Sequence, residues 1–202
     1  LRIAIETYQK EAVTGGFEKT FEIGKVFRNE GMDPSHLQEF TMCEHYAAYW
    51  DYQDNMKFTE KMFHHLLQET MGTKKVKILD RDGKEHVVDF GKRWRTVSLR
   101  EVVLEDCGVD ISNYTTAHEL RAALNKKGIV VEGAENLGLG NLIDHLYKKV
   151  SRPKLIQPTF VIEYPLELSP FAKRTPHDPR LVERFEGFTG GLEMGNAFTE
   201  LN

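Results

Sequence analysis

The stretch that decides the fold is FRNEGMDPSHLQEFTMCEHY, Phe27 to Tyr46. Before it, KTFEIGKVFRNE alternates, with Val26, Arg28 and Glu30 on one side and Phe21, Ile23 and Phe27 on the other. After it, EFTMCEHYAAY alternates again, with Phe40, Met42, Glu44 and Tyr46 on one face and Thr41, Cys43 and His45 on the other. A period of two over such lengths is a strand signal. The Gly, Asp, Pro and Ser between Gly31 and Gln38 read as a loop. Two strands joined by a polar loop predict an antiparallel hairpin carrying an arginine, carboxylates and aromatic rings at alternating positions.

Working outward, the pattern changes. Asp51 to Met71 has helical spacing of Met56, Phe63, Leu66 and Leu67, with Asp51 or Asp54 as cap and Gly72 at the end. KVKILDRDGKEHVVDF predicts a hairpin about Asp82-Gly83. Short helices are expected over Leu99 to Asp106, Thr116 to Lys127 and Asn141 to Val150. Glu119, three residues after Thr116, completes a capping box. Positions from about 97 to 152 therefore read as a helical insertion between β-rich parts. PTFVIEYP is a further strand, and ERFEGFTGGLEMGNAFTELN a hairpin turning at Gly190-Gly191. The expected fold is α+β, a mostly antiparallel sheet with helices packed on one face.

Composition bounds the function. A net charge of −4 gives no general basic footprint for nucleic acid, so any such contact must be local. Cys43 and Cys107 stand far apart outside any metal or redox spacing, which predicts a reducing, cytoplasmic setting. No apolar run nears the ~18 residues that a membrane helix needs, so no membrane partner is expected. The eight histidines lack metal-ligand spacing. The chain opens on Leu1 and is read as a piece of something longer.

Taken singly, the polar residues have ordinary explanations. A strand Arg–Glu pair is commonly a weak surface ion pair, and strand aromatics commonly pack. Their chemistry is nevertheless specific in combination. Arg28 offers a planar fork suited to carboxylate or phosphate. Phe40 offers a flat face on which a base can stack. Glu44 and Glu200 can each pair with an ammonium. A two-residue turn at Gly190-Gly191 sets Phe188 opposite Glu193 and Glu186 opposite Gly195. Glu186 and Glu193 then share a face, which suits Mg²⁺ shared with a phosphate.

The block GGFEKTFEIGKVFRNEGMDPSHLQEFTMCEHYAAYWDYQD closely resembles the second signature motif of the class II aminoacyl-tRNA synthetases, and within that class the lysyl-tRNA synthetases. LRIAIETYQK, SPFAKR and ERFEGFTGGLEMGNAFTELN resemble further blocks of the same family, in the same order. The resemblance implies ATP-dependent activation of lysine and its transfer to tRNA(Lys), with Mg²⁺ as cofactor and a homodimer when full length. It implies that Arg28 bridges the lysine carboxylate and the α-phosphate, that Glu30 and His36 hold the nucleotide, and that Phe40 stacks on adenine. It implies that Glu44 binds the α-amino group, that Glu6, Tyr46 and Glu200 recognise the ε-ammonium, and that Asn196 and Phe198 line the pocket. Glu186 and Glu193 would hold the metal.

On this reading residues 1–202 are a partial catalytic domain without the anticodon-binding domain and the first and third class motifs, expected to be inactive in isolation. Ile5 stands where the family has proline, with an effect expected on stiffness only, and Leu37-Gln38 where it has Asn-Pro. A ligase that modifies a protein side chain and a non-catalytic amino-acid-binding relative are the alternatives.

The assignments also conflict with strand parity. Positions 193 and 196 face opposite ways in a regular strand. If Glu186, Glu193, Asn196 and Glu200 share a face, a β-bulge is needed, and it is expected at or next to Gly195.

Overall fold

The computed structural model describes residues 1–31, 36–80 and 83–201. The chain forms two compact units, Leu1–Trp50 and Asp51–Asn202.

In the first unit, helix α1 (Glu6–Thr14) precedes strands β1 (Lys19–Phe27) and β2 (Glu39–Ala47). The strands pair antiparallel from Lys19↔Ala47 to Phe27↔Glu39. This is the expected hairpin, although β1 ends at Phe27 and leaves Arg28 and Glu30 beyond it. Of the expected loop, Met32, Asp33, Pro34 and Ser35 lie outside the described residues. On β2 the residues Phe40, Met42, Glu44 and Tyr46 are half-buried, while Thr41 and Cys43 are exposed. α1 was not expected, and its start explains why. Its N-cap position, Ile5, makes no side-chain cap bond. Instead the Ile5 N–H donates to Glu44 Oε2 on β2, at 3.0 Å.

The second unit begins with α2 (Tyr52–Met71), capped by Asp51 and closed by Gly72 at φ 66°. Strands β3 (Lys75–Leu79) and β4 (Glu85–Asp89) pair antiparallel. Of the expected Asp82-Gly83 turn, Gly83 has φ 79° and Asp82 lies outside the described residues. Next come β5 (Arg95–Ser98), α3 (Leu99–Cys107), α4 (Ala117–Lys126) and α5 (Leu139–Val150). Capping boxes start both α3, from Ser98, and α4, from Thr116. Strands β6 (Thr159–Pro165), β7 (Leu181–Thr189) and β8 (Leu192–Phe198) follow.

The sheet order is β5-β6-β7-β8. All pairs are antiparallel except β5–β6, which is parallel. The segment carrying α3, α4 and α5 connects these two parallel strands, as parallel pairing requires a long crossover.

Helices cover both faces of this sheet rather than one. Val161, Tyr164, Val182 and Phe188 pack with side chains of α3, α4 and α5, such as Leu120 and Leu146. Phe160 and Phe185 pack with Trp94, Val88 and the α2 residue Leu67. Neighbours Phe160 and Val161 thus point opposite ways, as pleating demands.

Candidate functional site

In the first unit the candidate residues lie on or beside one face of the hairpin. Val26 pairs with Phe40, Gly24 with Met42, Glu22 with Glu44 and Thr20 with Tyr46. Arg28 follows β1 directly. Its guanidinium lies 5.3 Å from the Phe40 ring centroid, and its Nε donates to the Ile3 carbonyl at 3.2 Å. That single bond leaves most of a five-donor fork for an anion.

The loop end is closed by Gln38. Its carbonyl accepts from the Arg28 N–H at 2.9 Å, and its side-chain amide donates to the Glu30 carbonyl at 3.3 Å. No proline at 38 could supply that side-chain bond. Glu30 and His36 approach to 3.9 Å.

Glu6, in the first turn of α1, pairs with Lys10 at 2.6 Å, and the Lys10 ammonium lies 5.9 Å from the Tyr46 ring centroid. Glu6 and Tyr46 therefore already lie beside a lysine ammonium, that of the chain itself. Glu44 accepts the Ile5 N–H, a donor that a proline would lack. The expectation that Ile5 alters stiffness alone is thus corrected: it also ties α1 to Glu44.

In the second unit the candidates come together through an irregularity. Phe188 pairs with Glu193 as expected, but Gly187 pairs with Gly195, so Met194 is an extra residue. The expected bulge is present, next to Gly195. It moves Glu186 from Gly195 to Asn196. Residues paired across an antiparallel ladder share a face, so Glu186, Glu193, Asn196 and Phe198 lie on one side. Asn196 Nδ2 donates to Glu193 Oε1 at 2.8 Å. Glu200 lies beyond β8, bridged to Ala172, which packs with Val182 and Phe188 on that side.

Glu186 has two neighbours that alternation alone does not reveal. Tyr164 donates its hydroxyl to Glu186 Oε2 at 3.0 Å, and Arg184 donates Nη2 to Oε1. Arg184 also lies 4.9 Å from the Tyr164 ring centroid. Burial pushes the Glu186 carboxyl above its usual range; Arg184 opposes this and the Glu193 charge adds to it. Burial, then the Glu186 charge, pushes the Tyr164 hydroxyl well above its ordinary value. Tyr164 therefore stays a donor. An arginine in a strand reads as solvated, and Tyr164 reaches this face only through a second irregularity. The β6–β7 register shifts between Ile162 and Tyr164, where Glu163 has φ 62°. A non-glycine residue there gives no sequence signal.

Among the described residues no helix is long and apolar enough to cross a membrane. A family model described as tRNA synthetases class II (D, K and N) matches residues 1–202. A Roseiflexus castenholzii protein named lysine–tRNA ligase is 45% identical over 202 residues, all of this chain and 40% of the relative. The heat-inducible lysine–tRNA ligase of Escherichia coli is 45% identical over 206 residues, and the lysine–tRNA ligase of Staphylococcus saprophyticus 42% over 202. In each case the whole chain and 39% of the relative are covered. The chain thus spans about 40% of the length of these curated relatives. With its antiparallel hairpin and mixed α/β second unit, the chain belongs to the class II tRNA synthetases of the D, K and N group.

Proposed function

We propose that the longer protein activates lysine with ATP and transfers it to tRNA(Lys), and that residues 1–202 are part of its catalytic domain, with about 97–152 as a helical insertion. The observation that carries this reading is the alignment of this entire chain, at 42–45% identity, with proteins named lysine–tRNA ligase. A homodimer in the cytoplasm is part of the same proposal.

The chemistry needs no protein nucleophile. A lysine carboxylate oxygen bonds to the α-phosphorus as the bond to the β-phosphate oxygen breaks. Lysyl-adenylate forms and pyrophosphate leaves. In the second step the terminal tRNA hydroxyl attacks the carbonyl, releasing AMP. The protein's task is to orient two anions and neutralise their charge. Arg28 is assigned to the lysine carboxylate and α-phosphate, Phe40 to the adenine, and Glu30 and His36 to the nucleotide. Glu44 is assigned to the α-amino group. Glu6, Tyr46 and Glu200 are assigned to the ε-ammonium, with Asn196 and Phe198 as pocket lining. A charged ammonium needs such partners because leaving it unpaired out of water costs several kcal/mol.

Mg²⁺ fits the donor set of Glu186 and Glu193. They share a face and feel each other's charge, and among the described residues no third Asp, Glu, His or Cys groups with them. Mg²⁺ takes one or two carboxylates and completes its shell with phosphate oxygens and water. Once bound, it would offset phosphate charge.

The test is lysine-dependent ATP–pyrophosphate exchange by the full-length protein, followed by charging of tRNA. Exchange without any charging would favour the protein-modifying alternative, and absence of both would end the ligase reading. Glu200→Gln keeps size and removes charge. It is expected to lower lysine activation at least ~10²-fold, roughly 2.7 kcal/mol. Unchanged exchange kinetics would place the ε-ammonium elsewhere.

A further inference from the structure

Glu186 sits in a buried cluster whose other members have no role in the assignments above. Its side chain is 13% exposed and that of Arg184 is 17% exposed. Tyr164 is 1% exposed. The Arg184 guanidinium is a three-way tie. Nη2 donates to Glu186 Oε1, and Nη1 donates both to Ser169 Oγ and to the Leu168 carbonyl, the latter at 3.3 Å. Its Nε is buried without an acceptor, so Glu186 is the carboxylate that balances this charge among the described residues. Tyr164 holds the second oxygen at 3.0 Å.

A plain buried ion pair is a poor way to stabilise a fold. The desolvation cost offsets the attraction, and well-packed apolar residues commonly do as well or better. What such a cluster does supply is a fixed rotamer. One donor on each oxygen removes the rotational freedom of the carboxylate and still leaves lone pairs on both oxygens. The arrangement also requires an unusual backbone. Val161 pairs with Glu186, so in a regular strand position 164 would face away. The shift at Glu163, with φ 62°, turns Tyr164 back toward Glu186.

We propose that Tyr164 and Arg184 are positioning residues for the Glu186 carboxylate, holding one oxygen each in the orientation that ligates the divalent cation of the nucleotide. This rests on the assignment of Glu186 to the metal made above. Arg184 also fixes the Leu168–Ser169 backbone to the same carboxylate, so the loop and the ligand are set together. Lysine at 184 would keep the charge but could not present the planar fork that reaches both partners.

The experiment uses the full-length protein with Mn²⁺ as probe and α,β-methylene-ATP as the nucleotide. Bound Mn²⁺ is read by electron paramagnetic resonance, and thermal unfolding is recorded beside it. Tyr164→Phe, Arg184→Lys and Glu186→Gln are expected to weaken Mn²⁺ binding at least ~5-fold, about 1 kcal/mol. In pyrophosphate exchange, KM for Mg·ATP should rise in step. Tyr164→Phe keeps ring and volume, so it stays informative if Arg184→Lys folds poorly. Adding Tyr164→Phe to Glu186→Gln should weaken Mn²⁺ no further, because the hydroxyl acts only through that carboxylate. If Glu186→Gln alone weakens Mn²⁺ while Tyr164→Phe binds it like the parent, the positioning role is overturned. If Glu186→Gln binds Mn²⁺ like the parent, the metal assignment itself falls, and the inference with it.

Discussion

In Leu1–Trp50, Glu44 is held by one backbone N–H and Arg28 by one backbone carbonyl. In Asp51–Asn202, Glu186 is gripped on both oxygens, by the buried Tyr164 and the half-buried Arg184. The packing behind them differs as well. The first unit fully buries only the apolar Ile5 and Val26 among its described residues, whereas the second has two apolar clusters, one on each face of a four-stranded sheet. A two-stranded hairpin has little intrinsic stability, and few packing contacts constrain its polar groups. Substitutions at the candidate site of the first unit should therefore register in activity and hardly in stability. Substitutions that empty the apolar clusters of the second unit should register in stability and much less in activity.

The largest expected effect tests the first half of that contrast. Arg28→Ala in the full-length protein should lower lysine-dependent pyrophosphate exchange by ~10³-fold, about 4 kcal/mol of transition-state stabilisation. Its stability should stay within ~0.5 kcal/mol of the parent, because the side chain makes a single backbone bond and one ring contact. A large loss of stability in urea unfolding would show that Arg28 holds the hairpin together, and the contrast would collapse.

The second half is tested away from any candidate residue. Leu146 on α5 is fully buried among side chains of α3, α4 and the sheet. Leu146→Ala leaves a cavity and should cost ~2–5 kcal/mol in urea unfolding. Exchange activity of the protein that remains folded should change less than ~10-fold. A near-neutral Leu146→Ala would mean that the crossover helices contribute little to the second unit.

The contrast also explains which parts could be read from the sequence. The β1–β2 hairpin is a regular ladder, so alternation alone placed Phe40, Glu44 and Tyr46 on one side. The β7–β8 hairpin is irregular, yet its bulge was readable because the parities of Glu193 and Asn196 conflict and a glycine stands between them. The bulge at Glu163 carries no such marker, and Tyr164 and Arg184 were missed with it. The parallel β5–β6 pairing was missed because its partners are separated by the whole helical segment. Helix α1 escaped because its start is fixed by Glu44, far away in sequence, rather than by a local cap.

Helix starts give the smallest and most local test of the contrast. α1 has no side-chain cap, while α3 opens with Ser98 and Glu101 in a reciprocal box. The Ser98 Oγ accepts from the Glu101 N–H at 3.1 Å, and the Glu101 carboxylate accepts from the Ser98 N–H at 3.0 Å and its hydroxyl at 2.9 Å. The backbone bond, then the hydroxyl bond, holds the Glu101 carboxyl below its ordinary value. A carboxyl depressed in the folded state binds its proton more weakly there than in the unfolded chain. Its contribution is therefore complete above the unfolded value of about 4.3 and is lost as pH falls through the lower folded value. Ser98→Ala should cost about 1 kcal/mol at pH 7. The cost should shrink in acid, where the protonated carboxyl is a poorer acceptor in parent and variant alike. It should not vanish, because the Glu101 N–H bond to Oγ does not depend on that charge. Since Glu101 is solvent-exposed, the pH-dependent share is the smaller one. Urea unfolding of parent and Ser98→Ala at pH 7 and pH 3.5 measures it. An equal cost at both pH values would show that the carboxylate half of the box adds nothing to the cap, and that the Ser98 hydroxyl alone caps α3.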